Sequence, residues 1–181
     1  MIVFLGDSIF QWWDQEHFKI FSKYEALNFG VAGYTTKNVL DFLVTTNLHG
    51  VKPEVIVILI GTNNSDHNYT TAQTFESIKD IIDVSLELSP KSKILVVGIL
   101  PRGESKTDRQ RVFNSEVNKL LKAEKFQKEV YFIDIGYMFL KPDGSEEISK
   151  KIMYDGLHLT SDGYALLSEA ISSFITILLN N

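Results

Sequence analysis

Val55-Ile56-Val57-Ile58-Leu59-Ile60 is a continuous apolar run in which every residue but Leu59 is β-branched. It does not alternate apolar with polar side chains, so a strand here must be covered on both faces, as in a parallel sheet. Working outward, three further runs have the same character: Ile2-Val3-Phe4-Leu5, Ile94-Leu95-Val96-Val97 and Val130-Tyr131-Phe132-Ile133. Glu25-Ala26-Leu27-Asn28-Phe29 is a weaker fifth. Helical periods lie between them. Phe75, Ile78, Ile82 and Leu86 form one stripe, Phe113, Val117, Leu120 and Leu121 another, and Tyr164, Leu167, Ile171, Phe174 and Leu178 a third. Thr35 to Leu48 reads as a fourth helix and Ile9 to Phe21 as a less regular fifth. Strands alternating with helices require right-handed crossovers. The expected fold is therefore α/β: a three-layer α/β/α sandwich on a five-stranded, parallel, flavodoxin-like sheet.

A chain of 181 residues is one domain's worth, 1–181, and buries enough surface to fold without disulfides or metal. Its 18 Lys and Arg against 23 Asp and Glu give a formal charge of −5. That balance argues against nucleic acid or an anionic membrane as the main partner, because it offers no broad basic face. Lys119, Lys122, Lys125 and Lys128 are interleaved with Glu124 and Glu129 and read as a solvated surface. The absence of cysteine rules out a thiol nucleophile and a cysteine-ligated metal. Ile2 to Leu5 is too short for a leader's apolar core, and Ile171 to Leu179 falls short of the ~20 residues of a membrane span. The expectation is a soluble, cytoplasmic domain with no membrane insertion.

In open parallel sheets ligands bind beyond the carboxyl ends of the strands. The segments that follow the strands are Gly6-Asp7-Ser8-Ile9, Gly30-Val31-Ala32-Gly33-Tyr34-Thr35-Thr36, Gly61-Thr62-Asn63-Asn64 and Leu100-Pro101-Arg102-Gly103; Asp155-Gly156-Leu157-His158 precedes the last helix. Ser8 falls at a strand-to-helix turn that can expose its hydroxyl, although Asp7 and Ser8 could equally cap the helix. Phe10 breaks the G-x-S-x-G pattern of a nucleophile elbow. Asp155 is placed to accept from the His158 ring if the segment turns back, fixing the tautomer and leaving the other ring nitrogen as a base; a plain turn with a surface histidine is the alternative. Metal binding by this pair would need ligands that the sequence does not supply, so no metal is expected. Gly33, through its backbone N–H, and Asn63, through its amide, are candidate oxyanion donors; a left-handed turn and an Asx-turn are the plainer alternatives.

Taken together, these blocks resemble the SGNH hydrolases, also called GDSL esterases and lipases, with Ser8, Gly33, Asn63 and His158 in the family's order. The nearer resemblance is to the branch holding the catalytic subunits of intracellular platelet-activating-factor acetylhydrolases. It rests on Leu27-Asn28-Phe29-Gly30, Lys52-Pro53-Glu54-Val55-Ile56-Val57, Gly61-Thr62-Asn63-Asn64, Leu100-Pro101-Arg102-Gly103-Glu104 and Leu157-His158-Leu159-Thr160. Ile9 stands where the family has Leu, and Asn64 where many members have Asp. Tyr34 stands where the branch has a smaller or acidic residue.

The resemblance implies a serine esterase cleaving short-chain, acetyl-type esters through an acyl-enzyme. Ser8 would be the nucleophile, His158 the base and Asp155 its orienting carboxylate. The Ser8 and Gly33 N–H groups and the Asn63 amide would hold the oxyanion, and Ile9, Thr62 and Leu157 would line the acyl side. It implies no cofactor, a small-molecule ester as substrate, and pairing as a homodimer. A lysophospholipase, a carbohydrate acetylesterase and a catalytically silent interaction subunit are the alternatives. A phosphoacceptor module is disfavoured, because no acidic residue directly follows the third strand and no phosphate-binding glycine motif occurs.

Overall fold

Five strands, β1 Ile2–Gly6, β2 Ala26–Gly30, β3 Val55–Leu59, β4 Lys93–Val97 and β5 Val130–Ile133, pair in the order β2-β1-β3-β4-β5, all parallel. The structure is a computed structural model and describes residues 1–180. The strand order is the flavodoxin-like one expected from the sequence, with its switch point between β1 and β3.

The unbroken apolar runs are explained by burial on both faces. Ile2, Phe4, Val55, Val57, Leu59, Leu95 and Val97 point into one core, and Val3, Leu5, Ile56, Ile58, Ile94 and Val96 into the other. Helices cover both faces. α1 (Ser8–Gln11) and α6 (Ser161–Asn180) pack in the first core, with α2 (Gln15–Phe18) beside α6; α3 (Thr36–Thr46), α4 (Thr71–Leu88) and α5 (Arg109–Ala123) pack in the second. Each core residue fully withdrawn from water contributes about 1.5–3 kcal/mol, so the two layers carry the fold.

β2 was the faintest strand in the sequence because it lies at the sheet edge, where all five of its residues are only partly buried. It runs to Gly30 because Asn28 is structural: its amide donates to Phe10 O at 2.6 Å and its Oδ1 accepts from Gly30 N at 2.9 Å. Gly30 itself must be glycine, since a Cβ there would lie 2.6 Å from both Gln11 N and Phe10 Cβ.

Two helical expectations need correction. Ile9 to Phe21 is not one helix but α1, α2 and a 3₁₀ turn, Lys19–Tyr24. Asp14 is extended and its carboxylate accepts from His17 N at 2.8 Å, so it starts a new helix instead of continuing the old one. Aromatic packing replaces helical periodicity here: Phe10 stacks on Trp13, and Phe4, Phe18 and Phe21 meet Trp13 edge-on. Likewise α3 ends at Thr46, where Asn47 turns left-handed at φ 49°.

The last helix is also longer than its apolar core suggested. At 20 residues, α6 is long and apolar enough to cross a membrane by length and composition alone. In the fold, however, Tyr164, Leu167, Ile171, Ile175 and Leu178 lie against the sheet. Its apolar stripe is thus the inner face of a core helix.

Candidate active site

The chain's N- and C-terminal parts meet at one place. α1 and the tryptophan pair that follows it are fastened to α6 by two buried hydrogen bonds, Trp13 Nε1 to Ser168 Oγ at 2.8 Å and Tyr164 O–H to Ile9 O at 2.9 Å. Ser8 opens α1 directly after β1, and Asp7 provides the helix cap, its carboxylate accepting from Ile9 N at 3.0 Å. Capping therefore falls to Asp7 alone, and the Ser8 hydroxyl lies 3.1 Å from His158 Nε2. On the other side of the ring, His158 Nδ1 lies 2.7 Å from Asp155 Oδ2.

Asp155 holds this arrangement with its second oxygen as well. Oδ1 accepts from His158 N at 2.7 Å and Leu157 N at 3.0 Å, so one carboxylate both shapes the turn and orients the ring. The turn expected as an alternative to the catalytic pair is thus the device that builds the pair. Partial burial pushes the Asp155 carboxyl up, but hydrogen bonds from the His158 backbone, the His158 ring and the Leu157 backbone outweigh it and hold the group below the usual carboxylate range. Gly103 N donates to Gly156 O at 2.9 Å, and buried Arg111 holds Arg102 O and Gly103 O, each at 2.8 Å. The loop after β4 thereby supports the turn.

The loop after β2 carries Gly33, in the left-handed region at φ +79° with open space where a Cβ would be. It is anchored on both sides. Gln11 Oε1 accepts from Ala32 N at 2.5 Å, and Asn63 Nδ2 donates to Tyr34 O at 3.0 Å. One Asn63 N–H is committed there; the amide's other N–H is the one that can meet a substrate oxygen. Asn64 is fully buried and clamps the same loop, accepting from Thr36 N at 3.0 Å and donating to Thr36 Oγ1 at 2.7 Å. The Asn64 amide thus meets both the N–H and the hydroxyl of Thr36 without placing a buried charge there. Gln11 and Arg111 were not singled out in the sequence, and Asn64 was noted only as a departure from the family's Asp, because their roles depend on contacts between distant segments.

Ile9, Thr62 and Leu157 line one small cavity together with Asp7, Leu59, Ile60, Ile99 and Leu100. Only about 10 Å³ of it is open to the centre of a water-sized sphere, room for a single water or methyl group. Asn114 secures its wall, donating to Thr62 Oγ1 at 3.1 Å and Leu100 O at 3.0 Å. A much larger cavity, about 500 Å³, runs along α5 beside Pro101, Arg111 and Tyr137. Neither cavity is lined by Ser8, Asp155 or His158, but the small one is lined by their chain neighbours Asp7, Ile9 and Leu157.

Asp7 is 2% exposed, and burial pushes its carboxyl up to about 7 against the lowering effects of its backbone hydrogen bonds and Arg102. Folding thus raises its proton affinity. The associated stabilisation is complete below about pH 4 and is lost as the pH rises to about 7. Asp7→Asn keeps the capping oxygen but carries no charge. Its stability relative to wild type should increase by about 3 kcal/mol between pH 5 and pH 8 in urea titrations. A difference that does not change with pH would show that Asp7 is not buried as a neutral acid.

Comparison with known proteins gives this geometry a family. A sequence profile of the GDSL-like lipase/acylhydrolase family matches residues 4–166. The chain belongs to this family. It is a carboxylic ester hydrolase of the SGNH/GDSL type. The alpha2 subunit of platelet-activating factor acetylhydrolase IB from Rattus norvegicus is 39% identical over 98% of this chain and 77% of its own length. The alpha1 subunit from the same organism is 36% identical over 98% of this chain and 76% of its own. Among solved structures, a GDSL-like lipase from Bacteroides thetaiotaomicron superposes with a TM-score of 0.77 at 22% identity, covering 97% of this chain and 87% of that one. That last likeness is one of fold.

Proposed function

We propose that Ser8, His158 and Asp155 are the catalytic triad of this GDSL hydrolase and that its acyl group is acetyl or of similar size. The single observation that carries the reading is the chain of contacts from Ser8 Oγ to His158 Nε2 at 3.1 Å and from His158 Nδ1 to Asp155 at 2.7 Å. Ser8 attacks the ester carbonyl while His158 takes its proton. Asp155 holds the proton on Nδ1 and stabilises the imidazolium. The Ser8 and Gly33 N–H groups and the Asn63 amide receive the oxyanion, where each donor contributes about 3 kcal/mol to the transition state. His158 then passes its proton to the leaving alkoxide, and water cleaves the acetyl-enzyme by the same route in reverse.

The small cavity supports the short acyl group. Its size admits a methyl, and its walls come from the end of β3 and the segment after β4, with Asn114 holding Thr62 and Leu100 in place. Forcing a longer chain into such a wall costs about 1–3 kcal/mol. p-Nitrophenyl acetate should therefore exceed the octanoate ester in kcat/KM by about tenfold or more; faster octanoate turnover would refute the assignment of this cavity. We also propose a homodimer acting in the cytoplasm, on the resemblance and the composition alone.

A further inference from the structure

The two adjacent tryptophans that follow α1 do opposite things. Trp13 is buried in the aromatic cluster, whereas Trp12 is 47% exposed. Trp12 ends α1, its N–H donating to Ser8 O at 3.0 Å, so it is fixed to the nucleophile's own turn. Its indole lies 4.4 Å, centroid to centroid, from the imidazole of His158. Tyr154 is 54% exposed and stacks at 6.1 Å on the same imidazole. It is held there across the Asp155-Gly156-Leu157 turn, its N–H donating to His158 O at 3.2 Å. Two large aromatic surfaces are thus left in water on either segment that carries the triad.

The reaction gives this placement a meaning. The leaving oxygen must come within hydrogen-bond reach of His158 Nε2 to receive its proton. The first atoms of the alcohol therefore lie beside the imidazole and its aromatic neighbours. The acyl group is the one assigned above to the small cavity walled by Ile9, Thr62 and Leu157. The two halves of the ester consequently meet different environments, one closed and methyl-sized, the other open and aromatic. Tyr and indole faces favour flat or ring-shaped apolar groups.

We propose that Trp12 and Tyr154 form the binding surface for the alcohol half of the ester and select alcohols that carry a ring or other flat apolar face. This rests on the triad assignment above.

The test compares 2-naphthyl acetate with ethyl acetate, which share an acyl group and differ only in the alcohol. Trp12→Ala should lower kcat/KM for the naphthyl ester about fivefold or more and leave ethyl acetate within about twofold. Tyr154→Ala should give the same selective loss, and Trp12→Phe should restore most of the naphthyl rate. The hydrolysis rate of the preformed acetyl-enzyme should be unchanged in all three variants, because the alcohol has departed by then. Equal losses on both esters with slower acetyl-enzyme hydrolysis would make Trp12 a positioning residue for His158 and overturn the proposal. Unchanged kinetics on both esters in the alanine variants would also overturn it. Acetate hydrolysis that survives Ser8→Ala would instead refute the triad assignment on which the proposal stands.

Discussion

Ser8→Ala should reduce ester hydrolysis by at least about 10⁴-fold and abolish covalent labelling by an organophosphonate, while the protein stays folded. The structure separates these effects cleanly. The hydroxyl that would be lost makes its hydrogen bond to His158 Nε2 at 3.1 Å, and a bond of that kind contributes only about 1 kcal/mol to folding. The cap of α1 is Asp7, which the substitution leaves in place. Alanine also suits the first turn of a helix. Intact-mass measurement after phosphonate treatment, paired with a thermal melt, reads both halves of the expectation. A phosphonate adduct on the alanine variant at the wild-type rate would remove Ser8 from the mechanism.

Asp155→Asn should lower kcat by about 10³- to 10⁴-fold with little change in stability. In wild type, Oδ2 faces His158 Nδ1 at 2.7 Å while Oδ1 receives the Leu157 and His158 N–H groups. Asparagine can keep its oxygen on those two backbone donors, so the turn survives. Its amide nitrogen then faces Nδ1 as a donor. The ring must answer with an acceptor, which moves its proton to Nε2, the atom that has to accept from Ser8. The variant is thus folded but carries the wrong tautomer. The carboxylate is held below the usual range by its hydrogen bonds, which favour its charged form. Steady-state kinetics and a urea titration of the variant check both parts. A kcat within about threefold of wild type would reduce Asp155 to a turn residue.

The contrast between these substitutions and Asp7→Asn shows how three neighbouring oxygens are used differently. Asp7 is buried and its carboxyl is pushed up to about 7, whereas Asp155 lies at the rim and is held low. Only the second faces the His158 ring, its Oδ2 lying 2.7 Å from Nδ1, although Asp7 is the carboxylate adjacent to Ser8 in sequence.

Much of this protein could be read from its residues in order. The apolar runs at Ile2, Val55, Ile94 and Val130 determine a parallel sheet, because strands covered on both faces have no polar side to display. The blocks at Ser8, Gly33, Asn63 and His158 could be matched to the family's motifs in their order, because such motifs are short, local stretches of sequence. Where the sequence misled, local periodicity was the cause. Ile9 to Phe21 has helix-like apolar spacing, yet Trp13 and Phe21 are spaced by what they meet in an aromatic cluster.

The tertiary structure alone decided what depends on contacts between residues far apart in the chain. Asn64 clamps a loop 28 positions away, and Asn114 holds the wall of the small cavity from 52 positions away. The size of that cavity and the outward turn of Trp12 toward His158 are likewise set by packing. Side-chain periodicity specifies which face of an element is buried, since it is a property of the local backbone. Which buried or exposed group a side chain finally meets is a property of how the elements are stacked, and that is settled only when they fold together.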